Sequence, residues 1–156
     1  MTLKLGQKAP NFSLPDQNNQ IRQLSDYQGR LVLLYFYPKD DTPGCTKEAC
    51  SMQDNLTTFQ KIKAQVLGIS ADSVKSHQKF SQKFHLTFPL LADPDKKVIN
   101  QYEVWGEKSI FGRTFFGIKR TSFLIDPQGK ILKIYQDVNP TKHAEEVLQD
   151  IKAIRD

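Results

Sequence analysis

Apolar residues run without interruption from Leu31 to Tyr37, as Leu31-Val32-Leu33-Leu34-Tyr35-Phe36-Tyr37. The run is too short to cross a membrane and rich in β-formers, so it predicts a strand buried on both faces. After a polar stretch the apolar residues return with a new period. Cys45, Ala49, Met52, Leu56 and Phe59 follow one another at steps of four, three, four and three, which is one face of an α-helix. A strand, a short polar loop and a helix over about 43–63 are therefore expected. Thr42 suits the N-cap, and Pro43 suits the first helical position, where its missing N–H costs nothing.

Alternation around Asp16, Asn18 and Asn19 predicts an N-terminal hairpin from Phe12-Ser13-Leu14 and Ile21-Arg22-Gln23-Leu24. Val66-Leu67-Gly68-Ile69 reads as a second buried strand. Asp72 or Ser73 can cap a helix bearing Val74, His77, Phe80 and Phe84. Pro89 to Pro94 is a loop or short strand, and Asp95 to Tyr102 a short helix. From Trp105 to Lys119 the pattern fails, with Gly106, Gly112 and Gly117 interrupting any period. That stretch is expected to be irregular, and its Trp105, Phe111, Phe115 and Phe116 make it an aromatic wall over a site or a contact surface. Thr121–Ile125 is a buried strand, paired through a Pro127-Gln128-Gly129 turn with Lys130–Tyr135. Pro140 opens a final helix with Ala144, Val147, Leu148, Ile151 and Ile154 on one face. The order implies one α/β domain over residues 1–156, with a mixed central sheet and helices on both faces.

Composition narrows the function. The net charge of +5 is spread evenly, +2 over residues 1–78 and +3 over 79–156, with no basic stripe interleaved with aromatics. Nucleic-acid binding is not expected. No run reaches transmembrane length and the N-terminus lacks an apolar signal region, so a soluble chain without membrane association is expected. Two cysteines make no disulfide scaffold, and a reducing, cytoplasmic setting is the default; an organelle location after removal of a transit peptide stays open. His77, His85 and His143 have no cysteine or carboxylate at a suggestive spacing and read as ordinary surface or half-buried histidines.

Both cysteines lie within one stretch, Tyr37 to Cys50. Cys45 falls in the first helical turn, where free N–H groups and the helix dipole favour a thiolate. That field contributes only about 0.3–1 kcal/mol, so a strongly ionised sulfur needs a cation from elsewhere in the chain. Cys50 lies about 140° around the helix, beside Thr46, Lys47, Gln53, Asp54 and Thr57, on the polar face. The pair does not have C-x-x-C spacing, and two thiolates without a further pair at ligand spacing do not complete a metal site.

Pro38-x-x-x-Thr42-x-x-Cys45 resembles the active-site signature of the peroxiredoxins. With Thr42-Pro43-Gly44-Cys45-Thr46 and Cys50, the chain is similar to the bacterioferritin-comigratory, or Q-type, subfamily. Gly6–Phe12, Gly68-Ile69-Ser70, Phe88–Asp93 and Arg120–Asp126 fit the same resemblance. It implies a thioredoxin-like fold and a peroxidase reducing hydrogen peroxide and organic hydroperoxides. Cys45 would be the peroxidatic nucleophile and Cys50 the resolving cysteine of an intramolecular disulfide, recycled by thioredoxin or a similar dithiol. Arg120 would be the missing cation. Thr42, with the backbone N–H groups of Gly44 and Cys45, would stabilise the departing oxygen, while Pro38 and Pro43 shape and shield the loop. Glu48 reads either as a surface helix charge or as a group orienting Arg120 beside the peroxide site. No metal, haem or flavin is implied, and a monomer or weak dimer is expected. A protein thiol–disulfide oxidoreductase, a redox-sensing holdase using the 105–116 aromatics, and a metal-binding protein are the rival readings.

Overall fold

The computed structural model describes residues 1–155. The N-terminal hairpin pairs β1 (Ser13–Pro15) with β2 (Ile21–Gln23). The Asp16 carboxylate makes its turn, accepting from the N–H groups of Asn18 and Gln20 at 2.8 and 3.0 Å. A single 3-10 turn over Leu24–Tyr27 leads to β3 (Leu31–Phe36), in which every residue is buried.

Helix α1 covers Pro43–Asp54 and α2 covers Leu56–Lys61, where the sequence predicted one helix over 43–63. Asn55 makes the break. Its backbone N–H and its side-chain amide both donate to Ser51 O, at 3.2 and 2.8 Å. The side chain thus competes for a carbonyl that a regular helix would give to the backbone alone. The chain continues through β4 (Ala64–Ser70), longer than the predicted 66–69, then α3 (Val74–Phe84), β5 (Leu90–Ala92) and α4 (Lys97–Gln101). Ser73 caps α3, accepting from Ser76 N–H at 3.1 Å.

Residues 105–119 are not irregular. They form a second hairpin, β6 (Trp105–Ile110) with β7 (Arg113–Ile118), closed by Phe111 and Gly112 at φ 52° and 76°. Two positive φ values in a two-residue loop make the turn whose twist matches its strands. The alternation was invisible because the half-buried positions of β6 are Gly106 and Lys108, not apolar residues. The chain ends with β8 (Thr121–Ile125), β9 (Ile131–Tyr135) and α5 (His143–Arg155), the last starting three residues beyond Pro140.

The main sheet has the order β5-β4-β3-β8-β9. β3 runs parallel to β4, with Leu33 opposite Val66, and antiparallel to β8, with Leu34 opposite Phe123. Because side chains alternate along β3, each face has its own core. Val32, Leu34 and Phe36 pack with Ile69, Phe123 and α4, while Leu31, Leu33 and Tyr35 pack with Met52, Phe59 and α5. The centre of the sheet therefore delivers the loop 37–42 at a fixed height, directly before Cys45. This mixed sheet with helices on both faces is the thioredoxin-like arrangement expected from the sequence.

Candidate active site

Cys45 is the third residue of α1 and is 1% exposed. The first helical hydrogen bond, Thr46 N to Thr42 O, closes at 2.8 Å and leaves the N–H groups of Gly44 and Cys45 without helical acceptors. Thr42 occupies the N-cap position with extended backbone, φ −92° and ψ 155°, but its side chain does not cap. Its hydroxyl donates instead to Lys39 O at 2.8 Å, which turns it toward the loop.

Arg120 stands one residue before β8 and reaches across to α1. Its Nη2 lies 3.4 Å from Cys45 Sγ, and its Nη1 lies 2.8 Å from Glu48 Oε1. The surface-charge alternative for Glu48 is wrong, since the residue is fully buried. Three helical steps turn it only about 60° from Cys45, so it shares the inward side of α1. Burial pushes the Glu48 carboxyl up to about 7, with Arg120 pulling it back, and its second oxygen, Oε2, has no partner among the described residues. Burial also pushes the Arg120 guanidinium down, but Cys45 and Glu48 more than reverse that.

Gly44 makes this approach possible. A Cβ there would stand 3.1 Å from Arg120 Nη2 and 3.8 Å from Pro140 Cγ. The segment before α5 also ties to Arg120, whose carbonyl accepts from Val138 N–H at 3.2 Å. Pro38 and Thr42 are half-buried and Pro43 is exposed, so the loop lies between the buried sulfur and solvent.

Lys108 was not singled out from the sequence, because its strand was not recognised. Its Nζ donates to Ile118 O at 2.9 Å. Burial lowers its pKa, Arg120 lowers it further and Cys45 opposes both, so it belongs to the same electrostatic neighbourhood. A cleft of about 480 Å³ opens beside it, lined by Glu107, Lys108, Ile110, Arg120, Thr121 and Asp137 among others.

Cys50 is half-buried on α1, and burial together with Asp54 raises its thiol pKa. Two histidines differ from expectation. His77 and His143 are buried, at 0% and 1% exposed, while His85 is exposed at the end of α3. His143 contacts Ser122 Oγ at 2.8 Å and Glu146 Oε1 at 2.9 Å, and burial lowers its pKa. His77 meets Asp40, a partner too distant in sequence to predict. Asp40, Asp72 and His77 offer ligand atoms within 4.8 Å of one another, but all three already take part in hydrogen bonds within the fold.

The sequence profile of the AhpC/TSA family matches residues 5–134. Peroxiredoxin Bcp of Escherichia coli (strain K12) is 48% identical over 150 residues, covering 96% of each chain. Peroxiredoxin Bcp of Bacillus subtilis (strain 168) is 43% identical over 152 residues, covering 97% of each. Among solved structures, a cysteine-to-serine variant of peroxiredoxin Q from Xylella fastidiosa superposes with a TM-score of 0.94 at 38% identity, covering 100% of this chain and 99% of the other. The Xanthomonas campestris bacterioferritin comigratory protein, solved in trapped intermediate/ligand complexes bearing on its alkyl peroxide reduction, gives 0.89 at 35% identity over 99% of each chain.

Proposed function

Because the chain belongs to the AhpC/TSA family and is a thiol-dependent peroxidase of the peroxiredoxin Bcp type, we propose that Cys45 is its attacking sulfur and Cys50 its resolving thiol. One observation carries this assignment. Cys45 Sγ is buried at a helix N-terminus with the Arg120 guanidinium 3.4 Å away, an arrangement that complements a sulfur anion.

The Cys45 thiolate attacks one peroxide oxygen, the O–O bond breaks, and negative charge passes to the other oxygen. That oxygen takes up a proton and leaves as alcohol or water. Arg120 and the free N–H groups of Gly44 and Cys45 supply preorganised donors for the growing charge, and the Thr42 hydroxyl joins them by turning away from Lys39 O. Glu48 orients the guanidinium, and Pro38 and Pro43 shape the entry. Sulfur is left as sulfenic acid, which the Cys50 thiol converts to a disulfide with loss of water. A dithiol protein of the thioredoxin type restores both thiols. The protein acts as a monomer or weak dimer in the cytoplasm; among the described residues no helix is long and apolar enough to cross a membrane.

The disulfide requires motion. Five helical steps separate the two Cα atoms by roughly 8.6 Å, whereas a disulfide needs about 4.4–6.8 Å. α1 therefore unwinds between Cys45 and Cys50 before the bond closes. Mass spectrometry of reduced protein given one equivalent of hydrogen peroxide tests the assignment. A loss of two hydrogens located at Cys45–Cys50 is expected, and unmodified Cys45 would reject it.

A further inference from the structure

A second buried polar cluster lies beside the loop 37–42 and takes no part in the chemistry above. Its centre is His77 of α3, fully buried. His77 Nε2 lies 3.0 Å from Leu91 O, and a carbonyl only accepts, so Nε2 carries a hydrogen. His77 Nδ1 lies 2.7 Å from Asp40 Oδ2. A carboxylate also only accepts, so the hydrogen between these atoms is an additional proton held by the pair. Whether drawn on nitrogen or on oxygen, it makes the pair electrically neutral. Without it, two lone pairs would face each other across 2.7 Å beside a fully buried imidazole.

Every other contact of Asp40 strengthens the hold. Tyr37 Oη donates to Oδ1 at 2.6 Å, and Ser76 Oγ donates to Oδ2 at 2.8 Å. Burial and Asp40 keep the Tyr37 hydroxyl far above its ordinary pKa, so it stays a donor. The Asp40 backbone N–H donates to Asp72 Oδ2 at 2.9 Å, and Ser70 Oγ donates to the same oxygen at 2.6 Å. The remaining charges nearby are Asp41 and the α3 lysines Lys75, Lys79 and Lys83, which line an open cleft over the loop. Lys83 bonds the Asp41 carboxylate at 2.8 Å, but that pair is 61% and 45% exposed and screened by solvent. The buried pair, with Ser76 beside it, is a stronger tie of the loop to α3 than the exposed Lys83–Asp41 pair.

Asp40 is two residues from Thr42, and Asp41 between them turns the chain through a positive φ of 58°. Fixing Asp40 therefore fixes where Thr42 and the first turn of α1 stand. We propose that His77 is a positioning residue for the peroxidase reaction: the proton it shares with Asp40 clamps the loop that sets Thr42 and the first turn of α1 around the Cys45 sulfur. The proposal rests on Cys45 being the attacking sulfur.

The experiment measures the second-order rate of reduced enzyme with hydrogen peroxide from about pH 6 to about pH 9, together with nitrogen NMR of the histidine rings. His77→Phe removes the proton and the clamp. An ångström-scale shift of a catalytic group can cost about a hundredfold, so a fall of roughly 10- to 100-fold is expected. Asp40→Asn puts an amide donor against a neutral imidazole, keeping the bond without the extra proton. Its rate is expected to lie above that of His77→Phe, with nitrogen NMR showing a neutral ring hydrogen-bonded at both nitrogens. Tyr37→Phe, which removes one donor to Asp40, gives an intermediate loss and serves if His77→Phe does not fold. Two results overturn the proposal: a neutral His77 ring beside an ionised Asp40 carboxylate in wild-type enzyme at neutral pH, read from nitrogen NMR of the ring with carbon NMR of the carboxyl, or a folded His77→Phe with the wild-type rate and only a lower Tm. Locating the oxidised sulfur by mass in the same samples separates these results from failure of the Cys45 assignment.

Discussion

Arg120 and Cys45 are 75 residues apart in sequence, yet Arg120 Nη2 stands 3.4 Å from Cys45 Sγ while the other arm of the fork is held by Glu48. One planar group thus grips α1 at two points. Arg120→Met is expected to slow reaction with peroxide by about 10²–10³-fold, the loss typical of removing one transition-state donor. Arg120→Lys keeps the charge but not the fork, and so recovers only part of the rate. Stopped-flow rates at matched pH check both, and wild-type rates would remove Arg120 from the site.

Glu48 couples the folded helix to pH. Burial raises its pKa to about 7, whereas unwinding α1 returns it to an ordinary carboxyl. A group with a raised folded pKa binds its proton on folding, so its contribution is full below the unfolded pKa of 4.5 and is lost as pH rises through about 7. The gradient inside that window is roughly 1.4 kcal/mol per pH unit at most. Amide exchange over residues 43–53 of the reduced protein, corrected for intrinsic rates, is expected to lose protection across that window. Glu48→Gln is expected to flatten the dependence, and a flat wild-type profile would reject it.

Gly44→Ala separates stability from rate. Alanine is the better helix former by about 1 kcal/mol, and Gly44 lies within α1. The added Cβ, at 3.1 Å, must push Arg120 Nη2 aside by a few tenths of an ångström. An unchanged or higher Tm with a rate lowered by roughly tenfold is expected, since small displacements of catalytic groups are costly. A crystal structure of the variant with Arg120 undisturbed at normal rate would refute this.

The two cysteines have unequal phenotypes. Cys45→Ser is expected to abolish peroxide reduction, whereas Cys50→Ser should consume about one equivalent and then stall as sulfenic or overoxidised Cys45. In wild-type protein, oxidation is expected to speed amide exchange across residues 43–53 while leaving the sheet protected. Equal protection of that segment in both forms, with the 45–50 bond confirmed by mass, would falsify the unwinding.

The central strand, the first turn of α1 and the candidate cysteines were legible because each rests on short-range signals: an unbroken apolar run, a change of period, Pro43 at the first helical position. The β6–β7 hairpin was not, because Gly106 and Lys108 occupy the positions where alternation would place apolar side chains. The break at Asn55 leaves the apolar spacing of Met52, Leu56 and Phe59 intact, so periodicity passes straight over it. His77 looked ordinary because its partners, Asp40 and Leu91, lie 37 and 14 residues away and meet it only through the sheet. The burial of Glu48 is hidden from the sequence for a related reason. Its burial depends on Arg120 filling the space opposite, and one-dimensional spacing does not record that.

Asn55 has a thermodynamic consequence. Helical order is cooperative, so in an unbroken helix of about twenty residues disorder begun at the N-terminus would be opposed by, and transmitted to, every following turn. Dividing the segment at Asn55 insulates α2, whose Leu56 and Phe59 remain anchored in the core, from events at Cys45. The proposed unwinding would then be confined to a dozen residues, sparing the domain its global unfolding barrier in each cycle.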